Sequence, residues 1–160
     1  MSNNHFVHYQ NTAIGTIGIA EYRGFITNLF FDFEAVNQEA QIFETELISR
    51  AFRQLNDYLC GKLKTFSIPL NPFGTVFMMQ IWEVLCTIPY GNIMSYKDVA
   101  AAAGNSSACR AVGMANHRNP IPVFIPCHRV IGSDGALTGY RGGLDLKKQL
   151  LALEQRFRYV

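Results

Sequence analysis

An α+β fold is predicted by a change of periodicity partway along the chain. β-like runs crowd the first 31 residues, whereas helical spacing with polar caps dominates from residue 75 onward. A proline-containing stretch, 62–73, separates the two styles. The expected architecture is a small N-terminal antiparallel β-sheet plus helix lobe over residues 1–70. A mainly helical C-terminal domain with a helix-turn-helix follows over residues 71–160.

Each element has a local reason. Runs 6–10, 14–22 and 24–31 are rich in Ile, Phe and Tyr, and Asn11-Thr12 and Arg23-Gly24 punctuate them, so an antiparallel meander is expected. In 38–59, Ile42, Phe43, Leu47, Phe52, Leu55 and Leu59 recur near helical spacing, with Gly61 as the C-terminal stop. Residues 62–73, holding Pro69 and Pro72, read as an extended connection. Thr75 caps a helix through Thr87 whose apolar face includes Phe77, Ile81, Trp82 and Leu85, and Pro89-Tyr90-Gly91-Asn92 breaks it. Ser95 caps a short helix over 96–103, with Asp98 in its first turn. Gly104-Asn105 turns the chain, and Ser106 or Ser107 opens a further helix towards His117. The apolar run 121–125, with prolines at both ends, is expected to be extended. A Gly-rich loop, 132–143, and a last helix over 144–156 complete the chain.

At 160 residues the chain suits one domain or two small lobes, enough to bury about 70% of the surface its unfolded form exposes. No apolar run approaches the length of a membrane span. The start, Met1-Ser2-Asn3-Asn4-His5, lacks the basic and apolar regions of a secretory signal, so a cytoplasmic location is expected. Cys60, Cys86, Cys109 and Cys127 form no CxxC pair, and no His stands at zinc-finger distance, so free thiols and no metal are expected. Residues 1–70 carry five basic and seven acidic side chains; residues 71–160 carry nine and five. An anionic partner would therefore meet the second half. Neither a Walker loop nor a dinucleotide fingerprint occurs, and no cofactor is expected.

The chemistry concentrates at Pro126-Cys127-His128-Arg129-Val130. A lone cysteine is commonly a buried, inert packing residue. A thiol beside a histidine on a proline-bounded segment is instead held in place, as a nucleophile must be. Upstream, the short-helix, Gly-turn, helix pattern has the form of a helix-turn-helix. Ala108, Ala111, Gly113 and Ala115 slim its second helix, while Arg110, His117 and Arg118 add positive charge. Small residues also make tight helix–helix contacts, but that reading leaves Arg110 without a role. A slim, basic helix fits a nucleic-acid groove.

These residues carry a resemblance. Pro126-Cys127-His128-Arg129-Val130, together with Arg110-Ala111-Val112-Gly113-Met114-Ala115, Asn119-Pro120, Gly91-Asn92-Ile93-Met94-Ser95-Tyr96 and Thr138-Gly139-Tyr140-Arg141-Gly142-Gly143, resembles the O6-alkylguanine-DNA alkyltransferases over most of 71–160. The N-terminal half is similar only in outline. The resemblance implies irreversible transfer of an alkyl group from O6-alkylguanine in duplex DNA to Cys127, after the nucleotide is flipped out of the stack. It implies docking in the minor groove through the helix-turn-helix, with Arg110 filling the vacated space and Ala111, Gly113 and Ala115 on the docking helix. Tyr96 would crowd the phosphate, bond the base and protonate the departing ring. His128 would reach Cys127 through a water, and Glu154 would hold the far ring nitrogen. Asn119 would brace the helix against the cysteine segment. The carbonyls of Cys127 and Val130 would accept from the exocyclic amine, the Arg141 N–H would donate to O6, and Tyr140 and Pro122 would wall the pocket. Arg141 departs from members with serine there. Its contact is from the backbone, so recognition should be unaffected, and its charge could aid DNA binding.

Because a thioether resists water, unlike a thioester, the acceptor should react once. A monomer is expected, with cooperativity on DNA left open. The rival is a non-enzymatic reader of alkylated DNA, which would carry tryptophan in place of the cysteine. A Cys–His hydrolase and an architectural DNA-binding module are further alternatives.

Overall fold

The computed structural model describes residues 4–32, 34 and 39–160. Two compact units divide the chain, Met1–Phe73 and Gly74–Val160. Residues 1–3, on which the leader reading partly rests, lie outside the described residues, as does Gln38.

The first unit is a four-stranded sheet backed by a helix. Strands β1 (His5–Thr12), β2 (Gly15–Tyr22) and β3 (Phe25–Phe31) form the meander, and a two-residue strand β4 (Gln41–Ile42) pairs parallel with β1, giving the order β3-β2-β1-β4. The β2–β3 turn is Arg23-Gly24, both at positive φ (49° and 85°), the backbone a tight two-residue hairpin requires. The first turn falls two residues later than expected, at Ala13-Ile14, because Thr12 Oγ1 accepts from the Ile14 N–H and donates to the Gly15 carbonyl. Helix α1 (Glu46–Leu59) lays Ile48, Ala51, Phe52, Leu55 and Tyr58 onto buried Val7, Ile17, Ile19 and Leu29.

Helix α1 starts eight residues later than the periodicity suggested. Thr45 Oγ1 caps it by accepting from Ile48 N, and Ile42 and Phe43 are exposed, so their helical spacing was coincidental. The Phe43 N–H instead extends the β4 edge to the Val7 carbonyl, 3.0 Å. Gly61, φ 81°, ends α1 as expected. The following stretch is extended, and its residues 69–71 lie along β3, with Ile26 N–H donating to Pro69 and Asn71 N–H to Ile26, 2.9 Å each.

The second unit is helical around a two-stranded parallel ribbon. Its elements are α2 (Val76–Cys86), β5 (Met94–Ser95), α3 (Tyr96–Ala102), α4 (Cys109–His117), β6 (Val130–Ile131) and α5 (Leu144–Arg156), with a 3₁₀ turn at Cys127–Arg129. Thr75 caps α2, and Ser95 with Asp98 forms a reciprocal capping box on α3. Gly104, φ 91°, turns the chain between α3 and α4. Trp82 is buried and donates from Nε1 to the Ala115 carbonyl, 2.9 Å, fixing α2 against α4.

Two local expectations are corrected here. Neither Ser106 nor Ser107 caps α4, which begins at Cys109; Ser107 bonds Asn105 Oδ1 through both its N–H and its hydroxyl, closing a turn that delays the helix. The run 121–125 is a turn, not a strand: Ile125 N–H donates to the Ile121 carbonyl, 2.9 Å, and Val123 sits at φ 74°. A β-branched residue at positive φ is strained, and something must hold it there. Asn119 does, its Nδ2 donating to the Ile125 carbonyl at 2.8 Å and its Oδ1 accepting from the Ile121 N–H at 3.0 Å.

Among the described residues no helix is long and apolar enough to cross a membrane, and no group of three or more His, Cys, Asp or Glu could hold a metal.

Candidate active site

Cys127 opens the 3₁₀ turn at the end of the Asn119-stapled loop and is 5% exposed. Its thiol faces a slot of about 50 Å³ lined by Tyr96 from α3, by Gly113, Asn116 and His117 from α4, and by Gly139 and Tyr140 from the Gly-rich loop. The nucleophile, the second helix of the helix-turn-helix and the loop thus converge on one small space. Burial raises the Cys127 pKa; the Asn119 hydrogen bond and the charges of Lys147 and Arg141 offset this only in part. At neutral pH the resting group is the thiol, and ionising it requires a base.

The base is built behind it. His128 is fully buried, and its Nε2 lies 2.7 Å from Glu154 Oε2 in α5. Arg129, next in the chain, grips the same carboxylate with two donors, Nε at 2.8 Å and Nη2 at 3.0 Å, and spends Nη1 on the Ile88 carbonyl at 2.7 Å. The Gly91 N–H adds a further bond to Glu154 Oε1, 3.0 Å. Burial alone would raise the Glu154 pKa, but the hydrogen bonds and charges of His128 and Arg129 outweigh it and hold the group at about 2. For His128, burial lowers the pKa and the Glu154 contact restores only part, so the ring is neutral. A neutral imidazole whose Nε2–H is directed at a carboxylate presents Nδ1 as an acceptor. Such a ring, held in one tautomer, can act as a general base.

Other expected site residues fall in varied places. Tyr96 hydroxyl donates to the Thr138 carbonyl, 3.0 Å, joining α3 to the Gly-rich loop beside the slot. Arg110 and Ala111 are exposed on α4, with Met114, His117 and Arg118. Ala115 is not on that outer surface: it faces inward with Val112 at 0% exposure, because its turn of helix packs on Trp82. Val130 and Pro122 are buried, and Pro122 belongs to the Asn119-stapled turn rather than to the slot lining. The Arg141 guanidinium turns back to the Asn119 carbonyl, 2.6 Å, so its charge braces the loop instead of extending outward.

Sequence reasoning missed two buried cations. In the sequence Arg129 figures only as part of the cysteine motif, and Lys147 is not singled out. Lys147 is 0% exposed, and its Nζ donates to the carbonyls of Val130 (2.6 Å), Thr138 (3.0 Å) and Gly139 (3.4 Å). All three hydrogens are placed, and they tie the Gly-rich loop to the strand after Cys127. A signal was present: Lys147, Leu150 and Glu154 share one stripe of α5 at spacings of three and four, so charged residues stood at core-facing positions.

Comparison with known proteins agrees with this geometry. Residues 6–72 match the family model described as 6-O-methylguanine DNA methyltransferase, ribonuclease-like domain, and residues 76–156 match the one described as 6-O-methylguanine DNA methyltransferase, DNA binding domain. The constitutive methylated-DNA–protein-cysteine methyltransferase of Bacillus subtilis (strain 168) is 45% identical over 151 residues, 90% of this chain and 92% of that one. A methylated-DNA–protein-cysteine methyltransferase of Methanosarcina barkeri is 56% identical over 105 residues, 66% of each chain. The crystal structure of Mycobacterium tuberculosis OGT in complex with DNA superposes with a TM-score of 0.90 at 39% identity, covering 95% of this chain and 94% of that one. With both halves matched and a cysteine set before a histidine–glutamate pair, the chain belongs to the 6-O-methylguanine DNA methyltransferase family.

Proposed function

We propose that this protein repairs DNA by transferring the alkyl group of O6-alkylguanine to its own Cys127, once per molecule. One observation carries the reading: a buried thiol on a slot beside the second helix of a helix-turn-helix, backed by a neutral histidine locked to an ionised glutamate. Residues 71–160 bind DNA and accept the alkyl group; residues 1–70 form the supporting sheet and helix lobe. The protein acts as a monomer in the cytoplasm, where free thiols persist.

In this mechanism α4 enters the minor groove with its slim outer face, Ala111 and Gly113, and Arg110 takes the place of the extruded nucleotide. The resting slot, about 50 Å³, has room for a few waters and not for a purine, so admitting the base must widen it, and we assign the opening to the Tyr96–Thr138 contact. His128 Nδ1, through a water, takes the Cys127 proton, and Glu154 steadies the ring as it becomes cationic. The thiolate attacks the alkyl carbon; the S–C bond forms as the C–O6 bond breaks, and the departing purine takes a proton from Tyr96. Carbonyls of Cys127 and Val130 receive the exocyclic amine, the Arg141 N–H meets O6, and Tyr140 walls the alkyl group, with Pro122 joining it only once the slot has widened. The product thioether has no route back to a thiol.

The test is intact mass after incubation with a duplex holding one O6-methylguanine. A gain of one CH2 unit is expected with the lesion and none with undamaged duplex. Binding to the lesion without any gain would favour a reader of alkylated DNA. The role of Arg110 has its own test. Arg110→Ala should slow reaction with lesion duplex about tenfold or more while leaving reaction with free O6-benzylguanine within about twofold, since only the duplex requires extrusion. Equal losses on both substrates would refute the intrusion.

A further inference from the structure

One side chain in the slot has no assigned task. Asn116, on the third turn of α4, lines the space together with Cys127, Tyr96 and Tyr140. Its Oδ1 and Nδ2 are both buried, and neither has a hydrogen-bond partner among the described residues. Leaving a buried amide unsatisfied is costly, and native structures rarely tolerate it without a reason. An apolar residue of similar size would fill the same position on α4 without that cost. The neighbouring Asn119 shows what a structural asparagine does here: both of its polar atoms are spent on backbone groups.

We infer that Asn116 is a recognition residue whose Nδ2 donates to N7 of the flipped purine. The inference rests on the reading proposed above and deepens it. An O6-alkylated guanine presents ring acceptors at N1, N3 and N7. We assign the Tyr96 proton of the proposed pose to N3, and the carbonyls of Cys127 and Val130 take the amine between N3 and N1, which sets acceptors rather than a donor beside N1. N7, on the opposite edge, is then left for a donor, and Asn116 is a slot residue whose buried donor has no partner among the described residues. The bond forms only when the base arrives, so the cost in the resting protein is relieved on binding, which favours a purine over an apolar intruder.

The experiment is a double-mutant cycle between protein and substrate. Native protein and Asn116→Leu are each reacted with duplexes containing O6-methylguanine or its 7-deaza analogue, in which N7 is a carbon. Native protein should lose about tenfold in second-order rate on the analogue, the scale of one hydrogen bond in a desolvated site. Asn116→Leu should be slow on both duplexes by a similar factor and indifferent to the 7-deaza change. Its melting temperature should equal or exceed that of the native protein, an outcome a structural role for Asn116 would reverse. Equal sensitivity of both proteins to the 7-deaza change, or none in the native protein, would overturn the inference while leaving the alkyl transfer intact. The native protein's comparison of the two duplexes stands even where the variant folds poorly. Failure of the native protein to methylate Cys127 on the parent duplex would sink the proposed function and this inference with it.

Discussion

Cys127→Ser is expected to abolish alkyl transfer, by a factor of at least about 10³, while leaving affinity for the lesion duplex nearly unchanged. The hydroxyl is similar in size to the thiol, so the 3₁₀ turn and the slot persist. It is a far harder and more basic group, and a neutral His128 working through water cannot ionise it usefully. The split between lost chemistry and retained binding separates this account from two of the alternatives. A reader of alkylated DNA would show no transfer in the native protein either, and an architectural module would show no preference for the lesion in any variant. Rate measured by mass spectrometry and affinity measured by fluorescence anisotropy, on the same oligonucleotide, decide the matter.

The second large effect is on stability. Arg129→Met should destabilise the protein by about 3–5 kcal/mol, because it strands the Glu154 carboxylate inside the fold after removing two of its donors. For a chain of this size that corresponds to a fall in melting temperature of roughly 10 °C or more. Adding Glu154→Gln to Arg129→Met should recover part of the loss, since no stranded charge remains; a loss of under 2 °C in the single variant, about the shift of half a kcal/mol, would contradict the account. The same change has a chemical signature. The Arg129 charge helps to hold the His128 pKa down, so removing it lets His128 protonate at higher pH. The proposed mechanism needs the neutral ring, so the acid limb of the rate profile should move upward in Arg129→Met.

Glu154 also sets an acid limit for the native protein. Its folded pKa, about 2, lies below the ordinary carboxylate value of 4.5, so folding binds the ionised form preferentially. The resulting stability is fully present above that ordinary value and is lost progressively as pH falls toward 2. Denaturant midpoints between pH 6 and 2.5 should decline along this limb, and Glu154→Gln should flatten it. An unchanged limb in Glu154→Gln would assign the acid sensitivity elsewhere.

How much of this was legible in the sequence depends on whether the signal was local. The Arg23-Gly24 hairpin, the Thr75 and Ser95 caps and the Gly61 stop are each written in two to four neighbouring residues, and the structure has them where the residues stand. The run Ile121 to Ile125 was misread because five apolar residues have no period to distinguish a strand from a turn. Its turn depends on Asn119 bonding both ends and forcing Val123 to positive φ, which no propensity of valine foretells. Ala115 was grouped with the slim residues of α4 by composition, when its position relative to Val112 already put it on the inner face. Arg129 and Lys147 were invisible for a different reason. Charged residues are assumed solvated, and their partners here are backbone carbonyls and a glutamate 25 residues away, which only the folded chain brings together. Asn116 left no local trace; the inference about it rests on buried polar atoms that find no partner among the described residues.

The most direct test counts alkyl groups. Native protein held with a tenfold excess of duplex bearing isotopically labelled O6-methylguanine should end with one label per molecule, on the peptide containing Cys127, and then stop reacting. Label released to solvent with continued turnover, or label spread over Cys60, Cys86 and Cys109, would contradict the claim that this buried thiol is the terminal acceptor.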